Sequence, residues 1–151
     1  LVATKKGQAI RFSEEDAREL GRTGQGVIGI RFKEGEDQVV GITLCSMPSI
    51  LTVTENGFGK RTPIEDYRIQ GRGGSGVINI KTEGRNGDVI GVRAVKDEQE
   101  IIVISSKGQT IRIPVNGISV IGRNTQGVTI IRLGENEKVA SFAIVQKTEA
   151  Q

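Results

Sequence analysis

An all-β fold of propeller-like blades, four short antiparallel strands to a blade and three repeats to the chain, is predicted by three observations. One segment pattern recurs at steps of 50 and 51 residues. Glycine is abundant, with 21 in 151 residues, and proline is rare, with three. Val, Ile and Leu must carry the packing, because Trp is absent and aromatics make up 3%. Many glycines among β-branched residues read as short strands joined by tight turns.

The repeat is clearest in its glycine-rich block. Gly21-Arg22-Thr23-Gly24-Gln25-Gly26-Val27 recurs as Gly71-Arg72-Gly73-Gly74-Ser75-Gly76-Val77 and as Gly122-Arg123-Asn124-Thr125-Gln126-Gly127-Val128. A second block keeps the same offset: Lys6-Gly7-Gln8-Ala9-Ile10-Arg11, Asn56-Gly57-Phe58-Gly59-Lys60-Arg61 and Lys107-Gly108-Gln109-Thr110-Ile111-Arg112. A third runs Val39-Val40-Gly41-Ile42, Val89-Ile90-Gly91-Val92 and Val139-Ala140-Ser141-Phe142. Repeats of this length with four strands each are the mark of a bladed assembly, in which no unit covers its own faces. The chain is therefore expected to be one packed domain, 1–151, with repeats 1–48, 49–98 and 99–151 joined by short links.

The strands of the first repeat are expected near 1–5, 8–12, 27–33 and 38–44. Those of the second fall near 50–54, 58–62, 76–82 and 88–95, and those of the third near 101–105, 109–113, 127–133 and 138–146. Lys6-Gly7 and Lys107-Gly108 suit two-residue hairpins between the first two strands. Alternation in Val77-Ile78-Asn79-Ile80-Lys81 supports a half-buried strand. Ser13 to Leu20 can form one helical turn capped by Ser13. Pro63 and Pro114 occupy the matching places, so this turn reads as an elaboration of the first repeat.

Composition excludes several functions. One cysteine, Cys45, allows no internal disulfide and suits a reducing, cytoplasmic setting. Without His, an ordinary zinc site has no ligand set. No apolar run approaches the length of a membrane span, and no leader peptide is visible. Leu1-Val2-Ala3-Thr4 reads as the middle of a longer domain. Gly71 to Gly76 formally satisfies G-x-G-x-x-G, but it precedes a strand, where a dinucleotide site needs a helix. No nucleophile–base pair is evident, and Tyr67, the single tyrosine, reads as a packing residue.

The net charge of +3 is too small to name a partner, so the placement of the charges must decide. Arg11, Arg61 and Arg112 are equivalent, as are Arg22, Arg72 and Arg123, and Arg31, Lys81 and Arg132. Acidic residues keep register less well. In a bladed array, equivalent positions fall at equivalent places, so the cations are expected as rows along one curved edge. Such rows can follow the phosphates of duplex DNA without reading bases. Lys6, Lys60, Arg68 and Lys107 join them as candidates. The glycine loops, Gly21, Gly24, Gly26, Gly71, Gly73, Gly74, Gly76, Gly122 and Gly127, are expected to turn the chain and to present backbone N–H groups beside an arginine.

These loops, with Asn56-Gly57-Phe58-Gly59-Lys60-Arg61-Thr62 and Ile121 to Val128, closely resemble the C-terminal domain of the DNA gyrase A subunit, part of a bacterial type II topoisomerase. The resemblance covers essentially the whole chain, in the order of the last three of six blades. It implies a β-pinwheel, in which neighbouring blades exchange a strand. It also implies that double-stranded DNA, the remainder of the gyrase A subunit and the gyrase B subunit are the partners. DNA wrapping in support of negative supercoiling is the implied function. Cleavage, ATP and Mg belong by resemblance to other domains, leaving this chain without a catalytic site or cofactor of its own. The family's signature box is Gln-Arg-Arg-Gly-Gly-(Lys/Arg)-Gly on the first blade. The nearest match, Gln70-Gly71-Arg72-Gly73-Gly74-Ser75-Gly76, has Gly for the first Arg and Ser for the last basic residue. The equivalent domain of topoisomerase IV, which bends DNA without strong wrapping, and a propeller-type protein scaffold stay open as alternatives.

Overall fold

In a computed structural model, which describes residues 1–33 and 35–146, the chain is eleven strands with no α-helix among the described residues. In the first repeat β1 (Val2–Thr4) and β2 (Gln8–Ile10) form a hairpin, and β3 (Val39–Ile42) returns beside β1. In the second, β4 (Ser49–Thr54) and β5 (Phe58–Pro63) form the hairpin, β6 (Val77–Ile78) follows, and β7 (Val89–Val95) returns beside β4. The third repeats the plan with β8 (Glu100–Ser105), β9 (Thr110–Pro114), β10 (Val128–Thr129) and β11 (Val139–Val145).

Blade and repeat do not coincide. The sheet orders are β3-β1-β2-β6, β10-β5-β4-β7 and β11-β8-β9. The outermost strand of each four-stranded sheet is thus supplied by the following repeat: Val77 pairs with Ala9 and Val128 with Gly59. Among the described residues the third sheet has three strands. The expected strands at 76–82 and 127–133 shrink to two residues each, because only those residues run beside the preceding hairpin. The segment 27–33 forms no strand; among the described residues no hairpin of a preceding repeat lies beside it. Its residues Ile28 and Phe32 are accordingly 47% and 44% exposed.

The hairpins also differ from expectation. Registers Val2↔Ile10, Val53↔Gly59 and Ile104↔Thr110 leave three-residue connections, closed by Gly7, Gly57 and Gly108 at φ of 87°, 88° and 83°. A type I turn ending in a left-handed residue spans three positions rather than two, which explains why glycine sits third. Each returning strand carries one bulge at the same place, between Ala3/Thr4, Val53/Thr54 and Val139/Ser141 in the paired registers. A repeated bulge adds twist to each blade. The helical turn after Ser13 is 3-10 (Glu14–Asp16), and Ser13 caps it by accepting from the Glu15 amide. It is no elaboration of the first repeat, because Ile64–Asp66 and Val115–Gly117 form the same turn after Pro63 and Pro114. Both prolines sit at the extended position just before the turn, where a fixed φ and a missing N–H cost nothing.

Two apolar layers lie between the three sheets. Leu1, Ala3, Ala9, Ile50, Tyr67, Ile80, Val89 and Val92 form one, and Leu51, Val53, Val95, Ile101, Val103, Val115, Ile118, Ile131 and Val139 the other. The two layers divide β4 by parity: Ile50 belongs to the first, Leu51 and Val53 to the second. That is why every residue of β4 is buried and why Ser49-Ile50-Leu51-Thr52-Val53-Thr54 does not alternate cleanly between apolar and polar.

Candidate nucleic-acid interface

The residues singled out by the repeat separate into two groups. The first is engaged within the protein, where Arg11, Arg61 and Lys6 join one repeat to the next. Arg11 Nη1 donates to the carbonyls of Ile64 (3.1 Å) and Tyr67 (3.2 Å) on the next repeat's 3-10 turn. Arg61 repeats this one blade on, with Nε donating to the Ile118 carbonyl at 2.8 Å and Nη1 paired with Asp97. Arg61 is 7% exposed. Arg112 has no following turn to reach among the described residues and pairs with Glu100 of its own hairpin instead. Lys6 bridges to Asp88 of the second repeat at 2.9 Å, and that carboxylate raises its pKa. Lys107 donates to the Glu135 carbonyl at 2.7 Å.

Lys60 departs furthest from the expected surface role. It is wholly buried, and its Nζ donates to the carbonyls of Gly122 and Arg123, both at 2.6 Å, and to Thr125 Oγ1 at 2.9 Å. Burial, and then the nearby Arg123 guanidinium, push its pKa down to about 7, against an opposing pull from Asp66. A sequence signal for this exists. Lys60 stands where the sister hairpins carry Ile10 and Ile111, an inward-facing position.

The second group lies along the outer edge. Arg72 Nε donates to the Asp16 carbonyl at 2.8 Å, and Nη1 to the Ile28 carbonyl at 3.0 Å. Arg123 makes the same two contacts one repeat later, to Asp66 at 2.7 Å and Ile78 at 2.8 Å. Each arginine thereby pins a glycine loop to the 3-10 turn and outer segment of the repeat before it. The backbone repeats the link: the Arg31 amide donates to the Gly74 carbonyl, and the Lys81 amide to the Thr125 carbonyl, both at 2.9 Å. Successive loops are stacked in one register, and Arg72 and Arg123 occupy the same place on it. A guanidinium has five N–H donors, so two carbonyl bonds leave others facing outward. Arg22, Arg31, Arg68, Lys81 and Arg132 are all exposed. Among the described residues the ion pairs involve Lys5, Lys6, Arg61 and Arg112, and none of the edge cations.

Two glycines of these loops serve the close approach of strands. At Gly76, with φ of 72°, an added Cβ would lie 2.1 Å from the Ala9 carbonyl oxygen; at Gly127, with φ of 81°, it would lie 2.7 Å from that of Gly59. Gly26 also has positive φ, but Gly21, Gly26, Gly71 and Gly122 face open space. Gly24 donates to the Gly21 carbonyl, Gly73 to Gly29 and Thr125 to Arg123. Those three amides are engaged within the protein.

Two further arrangements brace the blades. Tyr67, 1% exposed, donates from its hydroxyl to Asn79, whose amide donates to Thr52 Oγ1 at 3.0 Å. Burial raises the pKa of the phenol, so Tyr67 is a packing group with a satisfied hydroxyl. Arg85 lies over the Phe58 ring at 4.8 Å and donates to the Gly127 carbonyl, adding a brace to the exchanged strand. No group of three or more potential metal ligands and no helix long and apolar enough to cross a membrane occurs among the described residues.

Three comparisons bear on this architecture. The family model for the DNA gyrase C-terminal domain, a β-propeller, matches residues 1–46, 48–96 and 99–146. The DNA gyrase A subunit of Haloquadratum walsbyi is 44% identical over 99% of this chain and 18% of its own length, so the chain spans about a fifth of that relative. The solved C-terminal domain of DNA gyrase A superposes with a TM-score of 0.82 at 29% identity, covering 95% of this chain and 49% of that one. The C-terminal domain of DNA topoisomerase IV superposes equally well, at 25% identity over 96% of this chain and 46% of that one. With the family model matching nearly all of its length in three successive units, the chain belongs to the DNA gyrase C-terminal domain family of β-propellers.

Proposed function

We propose that the chain is a DNA-binding module that curves duplex DNA along its outer edge, within the A subunit of a gyrase-type topoisomerase. The reading rests on one observation: equivalent cations, Arg22, Arg72 and Arg123 with Arg31, Lys81 and Arg132, stand on stacked loops without acidic partners among the described residues. A polyanion with evenly spaced charges suits a row of cations spaced by a blade repeat. Arg11, Lys60 and Arg61 hold that row in shape from within. In this role the chain contributes no chemistry. Strand cleavage and nucleotide use would belong to other parts of the assembly, and the remainder of the A subunit and the gyrase B subunit would be its partners there.

Bending a duplex costs on the order of 1–6 kcal/mol, so several phosphate contacts must act together. Titration of a fluorescent duplex across a salt series tests this. The logarithm of affinity should fall linearly with the logarithm of salt, and Arg22, Arg72 and Arg123 changed together to Ala should lower that slope by about three. The weakening should be alike for unrelated sequences, because phosphate contacts carry no code. An unchanged slope would remove these arginines from the interface. The equal superposition on the topoisomerase IV domain favours one second reading, a module that bends without wrapping. Introduction of negative supercoils by the whole subunit in its complex separates the two.

A further inference from the structure

We propose that Lys60 is a positioning residue for the third glycine loop, replacing with a buried ammonium the glycine freedom that shapes the second loop, and so fixing where Arg123 meets a phosphate. The inference rests on the duplex-binding reading above and extends it to a residue that cannot itself touch DNA.

Two loops reach one arginine placement by different means. In the second, the positions after Arg72 are Gly73 and Gly74, and Gly73 adopts φ of 82°. Ile10 beneath them lies with Cδ1 3.6 Å from a Cβ built at Gly74, and Gln70 Oε1 lies at 3.7 Å, so an apolar side chain stands where Lys60 stands one blade on. In the third, Asn124 and Thr125 stand at these positions, and neither has positive φ. The loop instead turns the Gly122 and Arg123 carbonyls and the Thr125 hydroxyl inward, onto the three protons of Lys60 Nζ. Thr125 Oγ1 in turn donates to the Gly122 carbonyl at 2.7 Å, closing the ring. A buried lysine is tolerated only where its donors are satisfied, and although Thr125 also bonds the Gly122 and Arg123 carbonyls from within the loop, it is the loop's three oxygens that meet the donors of Lys60 Nζ. Lysine below and a non-glycine loop above therefore belong together, as do Ile10 below and Gly73-Gly74 above. Burial and Arg123 hold the Lys60 pKa near 7, with Asp66 opposing, and the neutral amine would still keep two donors.

The test uses the whole chain in four forms: unaltered, Lys60→Met, Arg123→Ala and both together. Amide exchange in DNA-free protein reads the loop directly. Lys60→Met should speed exchange at the Thr125 and Lys81 amides, which are bonded to and from this loop. Duplex titration over a salt series reads the consequence. Lys60→Met should lower the slope by about one, as Arg123→Ala does. The double variant should lose no more, because both changes remove one contact. A general loss of stability would not reproduce that non-additivity. Thr125→Val removes one oxygen and tests the same clamp without touching the lysine; it should speed the same amides less. Unchanged exchange, a retained slope in Lys60→Met, or additive losses would overturn the proposal. Failure of the unaltered chain to bind duplex would overturn the functional reading, while exchange still judged the clamp.

Discussion

The junction between the first and second blades and the junction between the second and third have the same plan and different chemistry. In both, an arginine at the end of a hairpin reaches forward to the next 3-10 turn, and an arginine on the next glycine loop reaches back. The first junction is close-packed and uncharged beneath its loop, with Ile10 at the centre and Gly76 laid against Ala9, and its buried polar groups are the neutral Tyr67, Asn79 and Thr52. The second buries charge: Lys60 is fully enclosed, Arg61 nearly so, and Thr62 Oγ1 donates to the Ile121 carbonyl at 2.9 Å. One backbone arrangement can thus be held beneath its loop either by steric fit or by a buried, satisfied charge. The two solutions should fail differently.

The largest difference is expected from glycine. Gly76→Ala forces an alanine into left-handed backbone and its Cβ against a carbonyl oxygen that cannot swing aside. It should cost about 3–4 kcal/mol in urea denaturation. Gly127→Ala meets the Gly59 oxygen at a longer 2.7 Å and should cost about 1 kcal/mol less. Equal losses would mean that the junctions are equally tight.

A middle-sized effect belongs to the forward-reaching arginines. Arg61→Met leaves the buried Ile118 carbonyl without its donor and should cost about 2 kcal/mol. Its exposed partner Asp97 can return to water, so the ion pair itself adds little. Arg11→Met breaks longer bonds at a half-exposed site and should cost about 1 kcal/mol. Thermal unfolding at matched salt ranks the two.

The smallest effect is a dependence on pH between 7 and 8 at the second junction. Lys60 has a folded pKa near 7 against an ordinary value of 10.5, so between these the unfolded chain binds the extra proton. Stability should therefore rise with pH above 7, by about 1 kcal/mol from pH 7 to 8, and show no change from this group below its folded pKa. Lys60→Met should flatten that rise. Ile10 contributes nothing comparable, so a rise that survived the substitution would come from elsewhere.

Much of this is legible in the residues. The spacing of Gly-Arg blocks marks three units, and β-branched runs such as Val89 to Val95 mark strands, because both are local properties. The repeat also places Arg72 and Arg123 as equivalents. It cannot separate them from Arg11 and Arg61, since an arginine that bonds carbonyls inside a junction and one that faces outward have the same repeat signature. Lys60 reads wrongly as a surface cation for a related reason. Its type suggests solvent, while its register, shared with Ile10 and Ile111, points inward.

What the sequence determined alone was the number of units, their strand content and the places where the chain must turn, all decided by side-chain chemistry over a few neighbouring residues. Only the tertiary structure decided which hairpin each outer strand would join, and which cations would be consumed in holding blades together. Both depend on partners about 40 to 70 residues away, such as Val77 for Ala9 and Thr125 for Lys60. Pairing across that distance is chosen by the fit of whole sheets rather than by the preferences of the residues that meet.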